Sequence, residues 1–227
     1  MINVIPHVLP PAQLAEARRL LATAEWVDGR ATAGHQGAWV KDNQQTSENH
    51  PVTLQVGGMI LQSLAQNSLF MSAALPLHIL PPLFNRYSGG QQFGTHVDGS
   101  IRTMPGTGQR LRTDLSCTVF LSDPADYDGG ELIIEEQAGT KRVKLPAGQM
   151  ILYPSTSVHH VTPVTRGTRL CSFFWLQSMI RDNGRRALLF EMDVGIQRVA
   201  ADSKPDHLGV IQLTGVYHNL LRQWAEV

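Results

Sequence analysis

The sequence predicts a mainly β domain, a sandwich or barrel, with helices on either side of it. Between residues 77 and 178, short runs rich in Val, Ile, Leu, Phe and Tyr recur, and Gly, Pro, Asp and Ser punctuate them. Before and after that stretch the apolar residues fall at helical spacing instead. The β runs also follow one another too closely for the strand–helix alternation of a parallel sheet.

In chain order, residues 11–25 (PAQLAEARRLLATAE) form an amphipathic helix: Leu14, Ala17, Leu20 and Leu21 share a face, and Pro11 suits its first turn. Residues 29–50 are polar and glycine-bearing, a loop with a short strand expected at Ala38–Lys41. A second helix is expected over 52–72, with Leu54, Ile60, Leu61 and Leu64 on its apolar side and Gly57-Gly58 as its weak point. The strands are PLFNRYS, QFGTHV, DLSCTVFLS, ELIIEE, KRVKLP, QMILYP and RLCSFFWLQS, with turns at SGGQ, DYDGG, PAGQ and TRGT. KRVKLPAGQMILYP takes a polar-alternating strand through a turn into a fully apolar one. Beyond Met179, Leu188, Leu189, Met192 and Ile196 make one helical stripe, and Asp206 to Trp224 a second helix. This tail is either a surface for homo-oligomerisation or a pair of helices packed back on the same domain. The expected organisation is therefore 1–76, N-terminal helices and loops packing on the core; 77–178, the core; and 179–227, a C-terminal helical extension.

Composition narrows the function. Hydrophobic residues make up 42% of the 227, enough for a packed interior. Lys plus Arg and Asp plus Glu stand at 19 each, so no basic surplus points to nucleic acid or to an anionic membrane. No window approaches the roughly 18 apolar residues of a membrane span. The opening MINVIPHVLPPAQ has neither a basic nor an apolar signal region, so a cytoplasmic protein is expected. Cys117 and Cys171 lie in apolar runs without a Cys-x-x-Cys, as buried thiols in a reducing compartment would.

The chemistry starts at GTHVDGS. On a strand His96 and Asp98, two residues apart, point to one face, so an imidazole nitrogen and a carboxylate oxygen converge on one cation. By itself His-x-Asp more often decorates a surface turn. A third ligand is available in YPSTSVHHVTPVTRGTR, from His159 or His160. Two histidines and a carboxylate on one face of an octahedron leave open positions, the facial triad of non-haem iron(II) oxygenases. Arg169 follows ten residues after His159 beside the apolar LCSFFWLQS. A guanidinium buried there needs an anion, and it grips a carboxylate through two parallel hydrogen bonds.

These residues resemble the Fe(II)/2-oxoglutarate dioxygenases, in the prolyl-4-hydroxylase-like branch. That branch looks like H-x-D, then H-x-V-x-P-V, then a basic residue ten positions after the last histidine. Here the segments are His96-Val97-Asp98, His159-His160-Val161-Thr162-Pro163-Val164 and Gly167-Thr168-Arg169, with NRYSGG and GGEL in comparable places. YPSTSVHHVTPVTRGTR followed by SFFWLQSMIRD is similar to the bacterial PKHD-type hydroxylases, a group associated with iron uptake. The resemblance to the oxygenases covers roughly 78–178, and the PKHD-type likeness extends through the helical tail. It implies a double-stranded β-helix core (jelly-roll, cupin-like). It further implies Fe(2+) on His96, Asp98 and His159, 2-oxoglutarate held by Arg169, L-ascorbate as helper reductant, and dioxygen with a small-molecule or peptide substrate. His160, adjacent on the strand, is expected to face away.

Tyr87, on the strand before the metal pair, is a candidate donor to the cosubstrate carboxylate or else a core tyrosine. Arg112 and Thr113 are placed at the pocket mouth, Phe173 and Trp175 in the core, and Arg166 in solvent. His35, His50, His78, His207 and His218 have no ligand-like spacing. Loops 29–50 and 99–112 are the expected pocket walls. Two other functions stay open: a zinc hydrolase on the same ligands, and a non-catalytic iron-binding or sensing module of cupin-like fold.

Overall fold

A computed structural model describes residues 1–32, 35–136, 139–204 and 206–227; the side chains of residues 31, 32, 35 and 36 lie outside that description. The N-terminal stretch contains β1 (Asn3–Ile5), α1 (Pro11–Leu21), β2 (Trp26–Asp28), α2 (His35–Val40), β3 (Lys41–Asp42), β4 (Gln44–Thr46), α3 (Pro51–Ala65) and α4 (Ser68–Ala74). Then come β5 (Pro76–Ile79), β6 (Leu83–Ser88), β7 (Gln92–His96), β8 (Ile101–Thr103), β9 (Arg110–Arg112) and β10 (Leu115–Phe120). The chain continues with β11 (Tyr127–Gly129), β12 (Leu132–Glu136), β13 (Gly139–Val143), β14 (Met150–Pro154), β15 (His159–Val161) and β16 (Val164–Ser178). The tail is α5 (Asn183–Asp202) and α6 (Leu208–Trp224).

The strands form two main antiparallel sheets. The larger runs β1-β14-β10-β16-β6-β4-β2, with β11 and β5 also paired to β16. The smaller runs β13-β12-β15-β7-β3, and β8-β9 is a separate hairpin. Between the sheets lies a core that includes Tyr87, Phe120, Ile134, Tyr153, Val161 and Cys171. On the other face of the large sheet, α1, α3 and α4 bury Leu21, Ile60, Leu64 and Phe70 against Phe84, Val119 and Phe174. Being covered on both faces, β10 and β14 are buried at every position, which is why LSCTVF and MILYP read as unbroken apolar runs rather than alternating ones. Cys117 and Cys171 are both buried free thiols, as expected.

Two N-terminal expectations need correction. The strand expected at Ala38–Lys41 is mostly the helix α2; only Lys41–Asp42 reach the edge of β7, opposite Phe93 and Gln92. Gly94 explains the fit, since a Cβ there would lie 2.8 Å from Val40 Cβ. The helix expected over 52–72 is two helices, because the Asn67 side chain accepts from Phe70 N at 2.9 Å and starts α4 afresh.

The tail folds back on its own chain. Leu189, Ile180 and Leu75 share a buried cluster with Tyr217, Leu221 and Trp224 packed against it. Arg112 reaches Glu226 at 3.0 Å. Leu188, expected on one stripe with Leu189, is 59% exposed, and Leu208, Ile211 and Val216 of α6 are also exposed. Among the described residues, no helix is long and apolar enough to cross a membrane.

Candidate metal centre and its cavity

The smaller sheet brings the two histidines together. In the β15–β7 pairing His159 lies directly opposite His96, so both rings leave the same face, with centroids 4.2 Å apart. Asp98 lies just past the end of β7, not on it, and its carboxylate is 3.7 Å from His159 Nε2. One ligand atom from each of His96, Asp98 and His159 falls within 4.8 Å of the others. His160 stays outside that group, as strand alternation requires.

Each candidate ligand is oriented by a second contact. His96 Nδ1 donates to Gly94 O at 2.8 Å and His159 Nδ1 to Ser157 O at 2.9 Å. Both rings therefore present Nε2 as the free lone pair, the tautomer a metal needs. Burial, and then the neighbouring His159, push His96 down to about 4, so its ring is neutral at ordinary pH. Ser116 Oγ donates to Asp98 Oδ2 at 2.6 Å and is itself 2.8 Å from Ser155 Oγ. Ser116→Ala is expected to weaken divalent-metal binding at this triad about 10–100-fold, measured by titration of the metal-free protein. Unaltered affinity would show that the serine does not aim the carboxylate.

The triad opens into a cavity of about 560 Å³ between the sheets, lined also by Tyr87, Asn85, Tyr153 and Arg169. Arg169 is 1% exposed, and its Nε has no hydrogen-bond partner. Among the described residues no carboxylate forms an ion pair with it. Its Cζ lies 5.3 Å from the ring centroids of Tyr87 and Phe120. Tyr87 is its direct cross-strand partner, and burial pushes that phenol up to about 12, which keeps it a hydrogen-bond donor. A buried guanidinium with no carboxylate partner costs several kcal/mol unless an anion joins it.

Gly130 makes the room for Arg169. It has φ +62°, and a Cβ there would come within 2.8 Å of Val164 Cγ2, 2.9 Å of Tyr127 Cε2 and 3.0 Å of Arg169 Cδ. Gly130→Ala is expected to destabilise the fold by about 2–4 kcal/mol, adding left-handed strain to overpacking. Urea unfolding measures this, and an unchanged midpoint would count against the packing argument.

Other expected residues fall elsewhere. Arg112 and Thr113 are not at the mouth: Arg112 pairs with Asp114 at 2.7 Å, and Thr113 Oγ1 donates to Gly99 O at 2.6 Å, holding the turn after Asp98. Arg166 is solvated against Asp128, as expected. Phe173 and Trp175 pack together as core aromatics and also line the cavity. Loop 29–50 contributes Gly37 and Lys41 to the wall, and loop 99–112 contributes Gly99, Ile101 and Arg102. Of the remaining histidines, His50 and His207 cap α3 and α6, each accepting a backbone N–H through its side chain. His78 lies 3.2 Å from Gln109 Nε2, and His218 packs edge-on to Tyr217. The side chain of His35 is outside the described residues. Ser116, Lys41 and Arg102 were missed by sequence reasoning as site residues; polar Ser116 inside the apolar run LSCTVF was the available signal for the first.

Comparison with known proteins accords with this geometry. Residues 82–177 match the 2OG-Fe(II) oxygenase superfamily, and residues 183–226 match the PKHD-type hydroxylase C-terminal domain. A PKHD-type hydroxylase of Bordetella pertussis is 58% identical over 227 residues, covering 100% of both chains. One from Herminiimonas arsenicoxydans is 59% identical over 223 residues, covering 98% of this chain and 99% of its own. Among solved structures, a Pseudomonas putida prolyl-4-hydroxylase is similar in fold at TM-score 0.51 and 21% identity, covering 78% of this chain and 92% of its own. HygX from Streptomyces hygroscopicus, solved with nickel and 2-oxoglutarate bound, reaches 0.53 at 14% identity over 79% of this chain and 84% of its own. These likenesses bear out the jelly-roll expectation.

Proposed function

Because the chain belongs to the PKHD-type hydroxylases of the 2OG-Fe(II) oxygenase superfamily, and is therefore an oxidoreductase, we propose that His96, Asp98 and His159 hold its iron(II) and that Arg169 grips the far carboxylate of 2-oxoglutarate. The family implies iron(II) and 2-oxoglutarate. The observation that carries the residue assignment is the buried Arg169, unpaired among the described residues and lining the same cavity as the triad. The donor set fits iron(II): two neutral imidazoles and one carboxylate leave positions for a chelating cosubstrate and dioxygen. When bound, the metal couples oxidative decarboxylation of 2-oxoglutarate, to succinate and carbon dioxide, with hydroxylation of a C–H bond. Arg169 orients the cosubstrate, Tyr87 donates its hydroxyl to the same carboxylate, and the apolar core between the sheets keeps water from that end of the cavity.

Ascorbate enters the proposal as the reductant that returns a ferric centre to iron(II). A link to iron uptake and a cytoplasmic setting rest on the sequence expectations alone. The deciding measurement is succinate release from 2-oxoglutarate by protein loaded with iron(II), beside the visible absorption that appears when 2-oxoglutarate chelates a ferrous centre without air. A zinc hydrolase gives neither signal. A sensing module without a cosubstrate site binds iron and gives neither. The absence of both signals from iron-loaded protein would overturn the assignment.

A further inference from the structure

The cavity has a second cationic end. On the inward face of β16, Arg169 and Trp175 are six residues apart, about 20 Å along a strand. At the Trp175 end, Arg102 Cζ lies 3.6 Å from the indole centroid, and its Nε is buried with no hydrogen-bond partner. Asp98 and Glu48 act on Arg102 through charge, but neither forms an ion pair with it. A chain of ring contacts leads from this guanidinium back to the triad. Trp175 meets Phe173 edge-on at 5.5 Å, and Lys41 Nζ lies 5.5 Å from Phe173 and 5.2 Å from Phe93. Phe93 stacks on His96 at 3.6 Å. Lys41 is 6% exposed; burial first, then the charge of Arg102, pull it down to about 8. Arg102 and Lys41 thus put two cations in one wall, and Asp98, whose charge acts on both, is engaged by Ser116 in the triad.

Arg169 already answers for the anionic cosubstrate, and a short dicarboxylate does not span both ends. Resting on the oxygenase reading above, we infer that the primary substrate carries a carboxylate, which Arg102 grips at the Trp175 end while Lys41 adds positive charge between it and the metal centre. A guanidinium laid over an indole presents a planar fork, and a planar carboxylate matches it through two hydrogen bonds. Neutral substrates leave the fork unsatisfied, so it selects against them. The carboxylate belongs either to a small free acid or to an acidic residue of a peptide, since both offer the same group.

The test uses the full chain loaded with iron(II) and 2-oxoglutarate without air, titrated calorimetrically. One arm pairs N-acetylated amino acids with their C-terminal amides; the other pairs short peptides containing Glu with the same peptides containing Gln. Acids are expected to bind at least tenfold more tightly than their neutral partners in one arm, and the arm that responds identifies the source. Arg102→Gln is expected to shrink that preference below twofold, and Lys41→Gln to reduce it, while both keep the 2-oxoglutarate affinity. Equal binding of acids and amides, no binding of any acid, or a preference that survives Arg102→Gln overturns the inference. So does loss of 2-oxoglutarate affinity in Arg102→Gln, which would place the cosubstrate at this end. Failure of the unsubstituted protein to bind 2-oxoglutarate at all would instead sink the oxygenase assignment of the site, and this inference with it.

Discussion

Asp98→Ala is expected to take iron(II) from one per chain to almost none and to abolish succinate release. Asp98 supplies the one anionic donor in the triad. Without it, two neutral imidazoles face the metal, and nothing offsets the charge of the ion in a pocket where His96 and His159 are both buried. The loss should appear in binding before activity. An excess of iron(II) at about a hundred times its Kd stabilises a protein by about 2.7 kcal/mol. For a chain of this size that is a rise of about 5–10 °C in Tm. The unsubstituted protein should show this rise and Asp98→Ala should not. The metal-free variant should melt close to the metal-free parent, since its main loss is one hydrogen bond, from Ser116 Oγ. That comparison separates a missing ligand from a damaged fold. Unchanged iron stoichiometry in a folded Asp98→Ala protein would refute the ligand assignment.

The legible parts of this molecule are those that a local pattern or a motif spacing decides. The motif resemblance chose His159 over its neighbour His160, strand alternation then turned His160 away, and the sheets place His159 opposite His96. Unbroken apolar runs marked β10 and β14, because helices cover one face of the large sheet and the small sheet the other. Arg169 was legible because the resemblance puts a basic residue ten positions after His159, where a cation beside an apolar strand needs an anion.

What escaped depends on partners far away in sequence. The convergence of His96 and Asp98 was argued from a shared strand, yet β7 ends at His96 and Asp98 is aimed instead by Ser116 and by the turn that Thr113 holds. Arg112 and Thr113 looked well placed for the mouth, but Arg112 ends β9, Thr113 lies between β9 and β10, and their partners, Asp114, Glu226 and Gly99, draw them elsewhere. Lys41 and Arg102 come from expected wall loops. Which of the loop residues turn inward is set by the pairing of Lys41 with Phe93 and by Arg102 lying over Trp175. No periodicity within either loop records those contacts.

Arg169→Met should trade function for stability. With 2-oxoglutarate bound, Arg169 would make a charge-assisted pair in a dry site, and removing one partner of such a pair costs about 3–4 kcal/mol. The KM for 2-oxoglutarate should therefore rise several-hundred-fold, at about tenfold per 1.4 kcal/mol. Without the cosubstrate the sign reverses. Arg169 is then a 1%-exposed charge whose Nε lacks a partner, between the rings of Tyr87 and Phe120. Replacing such a group by an apolar side chain of similar length is neutral or stabilising by about 1–4 kcal/mol. The methionine variant should thus melt at or above the parent when both are free of 2-oxoglutarate, and below it when both are saturated. Tm measured with and without the cosubstrate reads both halves. A variant that melts lower in both conditions would make Arg169 a structural support of β16 instead. One whose Tm still responds fully to 2-oxoglutarate would mean that the far carboxylate is held elsewhere in the cavity. Opposite signs in the two conditions are what a fold gives when it keeps a costly buried charge for a ligand to neutralise.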